Sequence, residues 1–256
     1  MVLERSDGRD CWKTRRTIIN VGSIGTAYGS ALVRRGKTTI VCGVKGELAN
    51  SRPENPGDGF LVVNLDLPPL CCPLFKPGPP SEQSQSISQF LNDIVTSSGC
   101  VVLSDLSIEG QLVWCLFVDI ICLEYDGNVI DAAVLAMLAA LTNTKLPKIT
   151  VSNDNGEIKV SEALEILAVK SQPVTTTFVY QQDGGHVMVD PSFEEEYDAA
   201  GILSITLQED GSLVKLYKPG GLQLPDSVLE QCIAKARSLS KDMWHLLKTV
   251  SETVET

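Results

Sequence analysis

The sequence predicts a mixed α+β fold built as two fused lobes, and three observations carry that prediction. Between Thr14 and Leu48 β-branched residues alternate with polar ones and glycines punctuate them, which is the pattern of an antiparallel meander. At Val129 to Leu141 the chain runs into A-A-V-L-A-M-L-A-A-L, small and apolar on every side, as in a helix buried at the centre of a fold. Past Ser227, residues Val228, Ile233, Ala236, Leu239, Met243, Leu246 and Val250 recur at helical spacing and give a terminal helix with one apolar seam. A length of 256 residues suffices for one substantial core or two small fused lobes.

Along the chain, the first meander breaks at Gly22, Gly25, Gly29 and Gly36, with Arg35, Gly36 and Lys37 as a tight hairpin turn. No helix follows these glycines, so they do not form a phosphate loop. Ala49 to Gly59 is a polar loop rich in Pro and Gly, and an apolar strand then runs to Leu67. The prolines of P-P-L-C-C-P-L-F-K-P-G-P-P forbid regular structure. Ser81 is a good N-cap for a helix to about Thr96, with Ile87, Phe90, Leu91, Ile94 and Val95 on one face. A strand at Leu112 to Tyr125 and a turn at Asp126 to Asn128 lead into the apolar helix. Pro147 and the polar run Ser152 to Glu157 mark the join between lobes, taken as 1–150 and 151–256. The second lobe offers strands near Pro173 to Tyr180, His186 to Val189, Ile202 to Leu207 and Leu213 to Tyr217, the last pair turning at Glu209, Asp210 and Gly211. Ser227 and Glu230 read as a capping box for the terminal helix. Trp244 and His245 lie beside its seam and carry no identifiable chemistry, and His186 reads as a strand residue with an ordinary partner.

The net charge of −11 argues against holding nucleic acid by bulk electrostatics. Charge is uneven: residues 1–45 carry nine Lys or Arg against three acids, so a balance of +6 is followed by −17 in the remainder. A basic start joined to an acidic remainder suits assembly beside complementary neighbours. The longest apolar run, Val113 to Leu123, is broken by Asp119 and reads as a buried strand rather than a membrane span. The first ten residues lack the apolar core of a signal peptide, so a soluble intracellular protein is expected. The eight cysteines show no C-x-x-C spacing and no histidines to complete a zinc site. Reduced, structural thiols and a cytosolic or nuclear compartment follow, with no metal and no cofactor expected.

The densest chemistry lies in Val187 to Leu207, V-M-V-D-P-S-F-E-E-E-Y-D-A-A-G-I-L-S-I-T-L. Asp190, Glu194, Glu195, Glu196 and Asp198 sit between two apolar runs, where clustered carboxylates mark a candidate active site. The stretch resembles the acidic signature of the RNase PH family, the phosphate-dependent 3′ exoribonucleases and their exosome relatives. R-S-D-G-R followed by S-A-L-V-R-R-G-K-T-T-I-V-C-G-V-K is similar to that family's opening. The resemblance covers the chain from Arg5 to the last helix. It implies the RNase PH-like fold, related to domain 2 of ribosomal protein S5: two pseudo-symmetric β-α-β lobes with helices packed between sheets. Relatives carry a longer segment ahead of R-x-D-G-R, so a shorter or trimmed start is expected here.

Set against the active members, the resemblance implies lost chemistry. Their pattern D-x-x-x-x-E-D-x-x-x-x-x-D puts Asp190 at its start, Glu195 at the Glu, Glu196 at the first catalytic Asp and Ile202 at the second. An aliphatic group can neither carry a proton nor hold a metal. Where active members read D-G-G-T-R-T-A-A at a helix start that binds phosphate, this chain reads D-G-N-V-I-D-A-A. Val129 and Ile130 thus replace the two phosphate ligands, and Asp131 is expected to add negative charge where the anion would sit. Pro79 and Gln89 replace two arginines that line the RNA and phosphate site, and an amide lacks the charged fork of a guanidinium. Arg52, in the loop that approaches the channel in ring-forming relatives, is a candidate RNA backbone contact.

The function implied is that of a non-catalytic subunit of the exosome core ring, shaping the channel for 3′-to-5′ RNA processing and decay performed by hydrolytic subunits. The implied partners are other RNase PH-like ring subunits, foremost the one related to ribosomal RNA-processing protein 46. S1/KH cap subunits and RNA in the channel complete the set, with no membrane. Nucleus, nucleolus and cytoplasm are the implied locations. The alternative is an active phosphate- or metal-dependent 3′ exoribonuclease using Glu194, Glu195, Glu196 and Asp198. A partnership outside the exosome is the third.

Overall fold

The computed structural model of the chain describes residues 5–52, 55, 57–108, 112–151, 158–181 and 186–254. β1 (Thr17–Val21), β2 (Gly29–Arg35) and β3 (Thr38–Asn50) form the expected antiparallel meander, registered from Thr17 opposite Arg35 and from Arg35 opposite Thr38. Gly36 makes the turn between β2 and β3 at φ +61°, and a side chain there would run into Arg15. β4 (Phe60–Asp66), the two-residue β5 (Ser107–Ile108) and β6 (Leu112–Glu124) complete a sheet in the order β1-β2-β3-β6-β4, with β5 paired to β6. β4 runs parallel to β6, which requires a crossover, and α1 (Glu82–Ser98) supplies it. Ser81 caps α1 through its side chain, and Ile87, Phe90, Leu91, Ile94 and Val95 are its buried face.

α2 (Val129–Thr142) has thirteen buried residues, Val129 to Leu141, and packs against β2 and β3 on one side and against the second sheet on the other. That sheet, in the order β10-β9-β11-β12, is built from β9 (Val174–Tyr180), β10 (Val187–Val189), β11 (Gly201–Leu207) and β12 (Leu213–Tyr217). All seven residues of β9 are buried because α2 and α4 (Asp226–Val254) press on it. A short helix, α3 (Phe193–Tyr197), joins β10 to β11, and its three successive glutamates are the acidic signature.

The structure differs from expectation at three elements. Pro147, read from sequence as part of the join between lobes, lies inside a strand: β7 (Lys145–Val151) pairs with β8 (Ile158–Ile166) as a separate two-stranded sheet. The pairing register shifts between Pro147 and Ile149, an irregularity of the kind that accommodates a proline lacking its N–H. The run 152–157 lies outside the described residues. α4 begins at Asp226, and the Pro225 carbonyl already accepts from Val228 and Leu229, so Ser227 sits inside the first turn and is not the N-cap. The deepest stripe of α4 is Cys232, Ala236, Ser240 and Leu247, rotated from the seam that apolarity alone selects. Trp244, rather than idling, packs against both hydrophobic clusters and donates its Nε1–H to the Gln172 carbonyl at 2.8 Å.

Candidate functional site

The acidic stretch and the R-S-D-G-R opening meet at the join of the two sheets. Asp190 leaves β10 in the left-handed conformation, φ +51°, with its carboxylate fully buried. Arg15 grips it from its backbone N–H at 2.6 Å, from Nε at 3.1 Å and from Nη2 at 2.9 Å. Arg35 lies with Nε 3.0 Å from the same carboxylate, Arg9 reaches it at 3.3 Å, and Asn128 donates to it at 2.6 Å. Burial opposes ionisation of Asp190, but Arg35 and Arg15 override it and hold the carboxyl well below the usual range. Arg5 forks Glu195 with bonds of 2.8 and 2.6 Å and also donates to the carbonyls of Val189 and Asp190. Glu195 in turn closes a capping box with Ser192. The turn before α2 presses backbone to backbone on this loop at Gly127, where a side chain would strike Pro191, Ser192 and Phe193.

Beside this charged knot lies a pocket of about 300 Å³ at the start of α2. Its wall is largely apolar, with Ile87, Val129, Ile130, Ile202, Tyr217 and Pro219 contributing. Glu196 is half-buried in it. It accepts from the Tyr125 hydroxyl at 2.7 Å and from the backbone N–H of Asn128, the N-cap of α2, at 2.7 Å. A carboxylate of the chain itself therefore takes a donor at the helix start where an external anion would bind. Burial pushes the Glu196 carboxyl up to about 7, against the lowering effect of Tyr125 and Asn128. Burial and Glu196 together push the Tyr125 hydroxyl far up. The site titrates near neutral pH and offers hydrocarbon where an anion would need cations.

Glu196, Ile202, Val129 and Ile130 thus line one cavity, although 66 residues separate Ile130 from Glu196 in sequence. Gln89 does not join them. It is exposed, donates to Asp93 at 2.8 Å and borders a different hollow with Lys45, Asn64 and Asp119. The reason is helical geometry: Gln89 lies two residues beyond the wall residue Ile87, a rotation of about 200° around the axis of α1, so it faces another side of the helix. Pro79 is exposed ahead of α1. Asp131 does not face the pocket either. It is fully buried behind the pocket-lining Asn128 and Thr177, accepting from both, from Thr177 at 2.7 Å, and lies 3.5 Å from Arg35. Burial raises its carboxyl despite those partners.

The other acids separate as well. Glu194 and Asp198 are exposed beside a small hollow that also includes Tyr180 and Met188, and they do not converge with Glu196. Among the described residues no group of three or more His, Cys, Asp or Glu side chains is placed to share a metal ion. Arg52 is exposed, its guanidinium 4.2 Å from the Phe60 ring centre. Four of the nine early cations, Arg5, Arg9, Arg15 and Arg35, point inward to acids of the same chain, so part of the basic character expected of the first segment's surface is consumed within the fold. Sequence reading missed these partners because they lie as much as 190 residues away. The available signal was the unusual density of arginine around R-S-D-G-R and V-R-R-G.

Two models of the 3′ exoribonuclease family match the chain, domain 1 over residues 13–147 and domain 2 over residues 171–238. The exosome complex component rrp43 of Schizosaccharomyces pombe is 38% identical over 235 residues, covering 91% of this chain and 87% of the relative. The exosome complex component Rrp42 of Methanopyrus kandleri is 36% identical over 246 residues, covering 96% and 91%. A chain of the Archaeoglobus fulgidus exosome with RNA bound to the active site superposes with a TM-score of 0.84 at 36% identity, covering 95% of this chain and 92% of that one. Rice Rrp46, at 18% identity and a TM-score of 0.72, shares the fold. The motifs, the two-lobed α+β architecture and these matches agree: the chain belongs to the RNase PH family of 3′ exoribonucleases and exosome components.

Proposed function

We propose that the chain is a non-catalytic structural subunit of the RNA exosome core ring, resembling ribosomal RNA-processing protein 43. It supports 3′-to-5′ processing and degradation of RNA, in rRNA maturation and mRNA decay, by shaping the channel through which RNA passes. Its partners in this reading are other RNase PH-like ring subunits, foremost the one related to ribosomal RNA-processing protein 46, with S1/KH cap subunits above the ring. It works in the nucleus, nucleolus and cytoplasm, and the lobes divide as 1–150 and 151–256. Arg52 is the RNA backbone contact it offers.

The observation that carries this reading is the pocket at the start of α2. Val129, Ile130 and Ile202 line it, and its carboxylate, Glu196, is tied to Tyr125 and to the Asn128 N–H. Phosphorolysis needs an anion seated against cations and a pair of acids. Single transition-state contacts are commonly worth on the order of 10²–10³ in rate, and several are replaced at once. The dispersal of Glu194, Glu195, Glu196 and Asp198 to different partners also speaks against a metal-dependent nuclease. The test is to incubate the purified chain with labelled single-stranded RNA, orthophosphate and Mg²⁺. The expected result is intact RNA. Steady release of nucleoside mono- or diphosphates by the chain alone would discard the proposal.

A further inference from the structure

The pocket at the start of α2 lacks the groups that seat an anion, yet it is still a cavity. Its volume of about 300 Å³ lies at the small end of ligand sites, which span roughly 300–1,000 Å³. Ile87, Val129 and Ile130 in its wall are buried, whereas Glu82, Ser86 and Pro219 at its edge are exposed, so the cavity has a floor and a rim.

The polar groups of that wall share one character. The Asn128 backbone N–H and the Tyr125 hydroxyl both donate to Glu196, and the Thr177 hydroxyl donates to Asp131. The Asn128 side-chain N–H groups go to Asp131 and Asp190, and the Ser86 and Tyr217 hydroxyls bond to one another. What these bonds leave over is acceptor capacity. A carboxylate has about four lone-pair sites, and the Tyr125 and Asn128 donors fill part of them on Glu196. Asn128 is 1% exposed, and its Oδ1 is buried with no hydrogen-bond partner among the described residues. Glu82 adds a carboxylate at the rim, while Arg15 and Arg35 are held by Asp190 and Asp131. Tyr125 and Tyr217 contribute aromatic rings, which attract cations.

From this we infer that the pocket binds a small organic ammonium, a primary amine on an apolar body, with its N–H groups directed to Glu196 and Asn128 and its hydrocarbon against Ile130 and Ile202. An ammonium has three donors and no acceptor, the complement of what the wall leaves unpaired. A neutral alcohol brings a single donor. A carboxylate or phosphate would face Glu196 and Glu82 with no free cation to meet it. The inference deepens the reading of this pocket given above and rests on it, since a site that still held phosphate would not select the opposite charge.

The test measures the binding of three probes of one shape, 2-phenylethylamine, 2-phenylethanol and phenylacetate, to the full chain by calorimetry, with methyl NMR to locate them. It is run at about pH 8, above the value of about 7 to which burial pushes the Glu196 carboxyl. The amine is expected to bind about tenfold or more tightly than the alcohol, the factor that a charge-assisted bond adds, with phenylacetate weakest and the shifted methyls at Ile130 and Ile202. Glu196→Gln keeps the side-chain volume and an acceptor for Tyr125, and it is expected to bring the amine down to the level of the alcohol. Comparing the probes on the unaltered chain decides the matter even where that variant folds poorly. Equal binding of amine and alcohol, no binding of either, shifts outside the pocket, or a Glu196→Gln chain that binds the amine unchanged overturns the inference and leaves the non-catalytic reading standing. Tighter binding of N-acetyl-lysine methylamide than of the amine also overturns it, because the occupant would then be a protein side chain. If phenylacetate binds tightest, both readings fall together, because the pocket is then still an anion site.

Discussion

Two regions a few residues apart in sequence have opposite chemistry. The knot around Asp190 is packed with charge, two of its arginines, Arg15 and Arg35, being buried against two fully buried aspartates. The pocket around Glu196 is lined mainly by hydrocarbon and keeps one carboxylate with an elevated proton affinity. Both draw on the same two segments, Asp126 to Asp131 and Asp190 to Ile202. Asn128 serves each, its side chain holding Asp190 and Asp131 while its backbone N–H holds Glu196. The difference separates what the fold needs from what the chemistry needs. The knot ties the opening motif to the second sheet and works as structure whether or not the neighbouring pocket reacts, whereas the pocket can trade cations for aliphatic side chains without loosening the join.

The largest expected effect comes from breaking the knot. Asp190→Ala leaves Arg15 and Arg35 buried with their main counter-charge gone, a change that costs about 3–5 kcal/mol. Urea unfolding measures it, and a loss under 1 kcal/mol would mean that the cluster is not what fastens the two sheets. The next effect sharpens the contrast through pH. The folded Glu196 carboxyl, at about 7, lies above its ordinary value of 4.5, so the folded chain holds this proton more tightly than the unfolded one. The stability it brings is complete below about pH 4.5 and is lost as pH rises through about 7, on the order of 2 kcal/mol after partial screening. Asp190 has the reverse sign: its contribution is present above its ordinary value of 3.8 and is lost as pH falls below it. Asp131, raised by burial, affects wild type and variant alike. Glu196→Gln should therefore flatten the decline in stability between pH 4.5 and 8 while leaving the acid limb in place, as melting curves across that range would show.

A smaller effect is expected from Tyr125→Phe, which deletes the 2.7 Å bond to Glu196. The loss is about 1–1.5 kcal/mol. Because that bond lowers the Glu196 carboxyl, its removal moves the decline to higher pH, and a midpoint that stays fixed would show that the hydroxyl does not sense the proton.

Much of this arrangement was legible in the sequence. The meander β1-β2-β3, the Ser81 cap, the all-round apolarity of α2 and the strands of the second sheet follow from period and turn chemistry, which are local. The motif alignment brought Glu196, Ile202, Val129 and Ile130 to one place because each lies within a few residues of a strand end or helix start. What failed was orientation and distant pairing. Asp131 sits in the first turn of α2 but turns into the core, since Arg35, Asn128 and Thr177 reach it from three other elements. Gln89 shares a helix with the pocket wall yet faces a different side of it than Ser86 and Ile87. β8 escaped notice because its nine exposed residues give no buried face for a pattern to report, and β7 because a proline stands where a strand was least expected.

The smallest predicted effect is the one that most directly separates the two regions. A chain with a working anion site gains stability when orthophosphate is added, by about 2.7 kcal/mol at a hundredfold excess over the dissociation constant. For a protein of this size that is roughly a 5–10 °C rise in melting temperature. Here the donor at the start of α2 is already taken by Glu196, and the flanking positions are Val129 and Ile130. The nearest arginines, Arg15 and Arg35, are held by Asp190 and Asp131, so no free cation is left beside the pocket among the described residues. Orthophosphate should therefore shift the melting temperature no more than sodium chloride of matched ionic strength. A saturable rise that Glu196→Gln enhanced would show that the carboxylate merely competes for a site the pocket still offers.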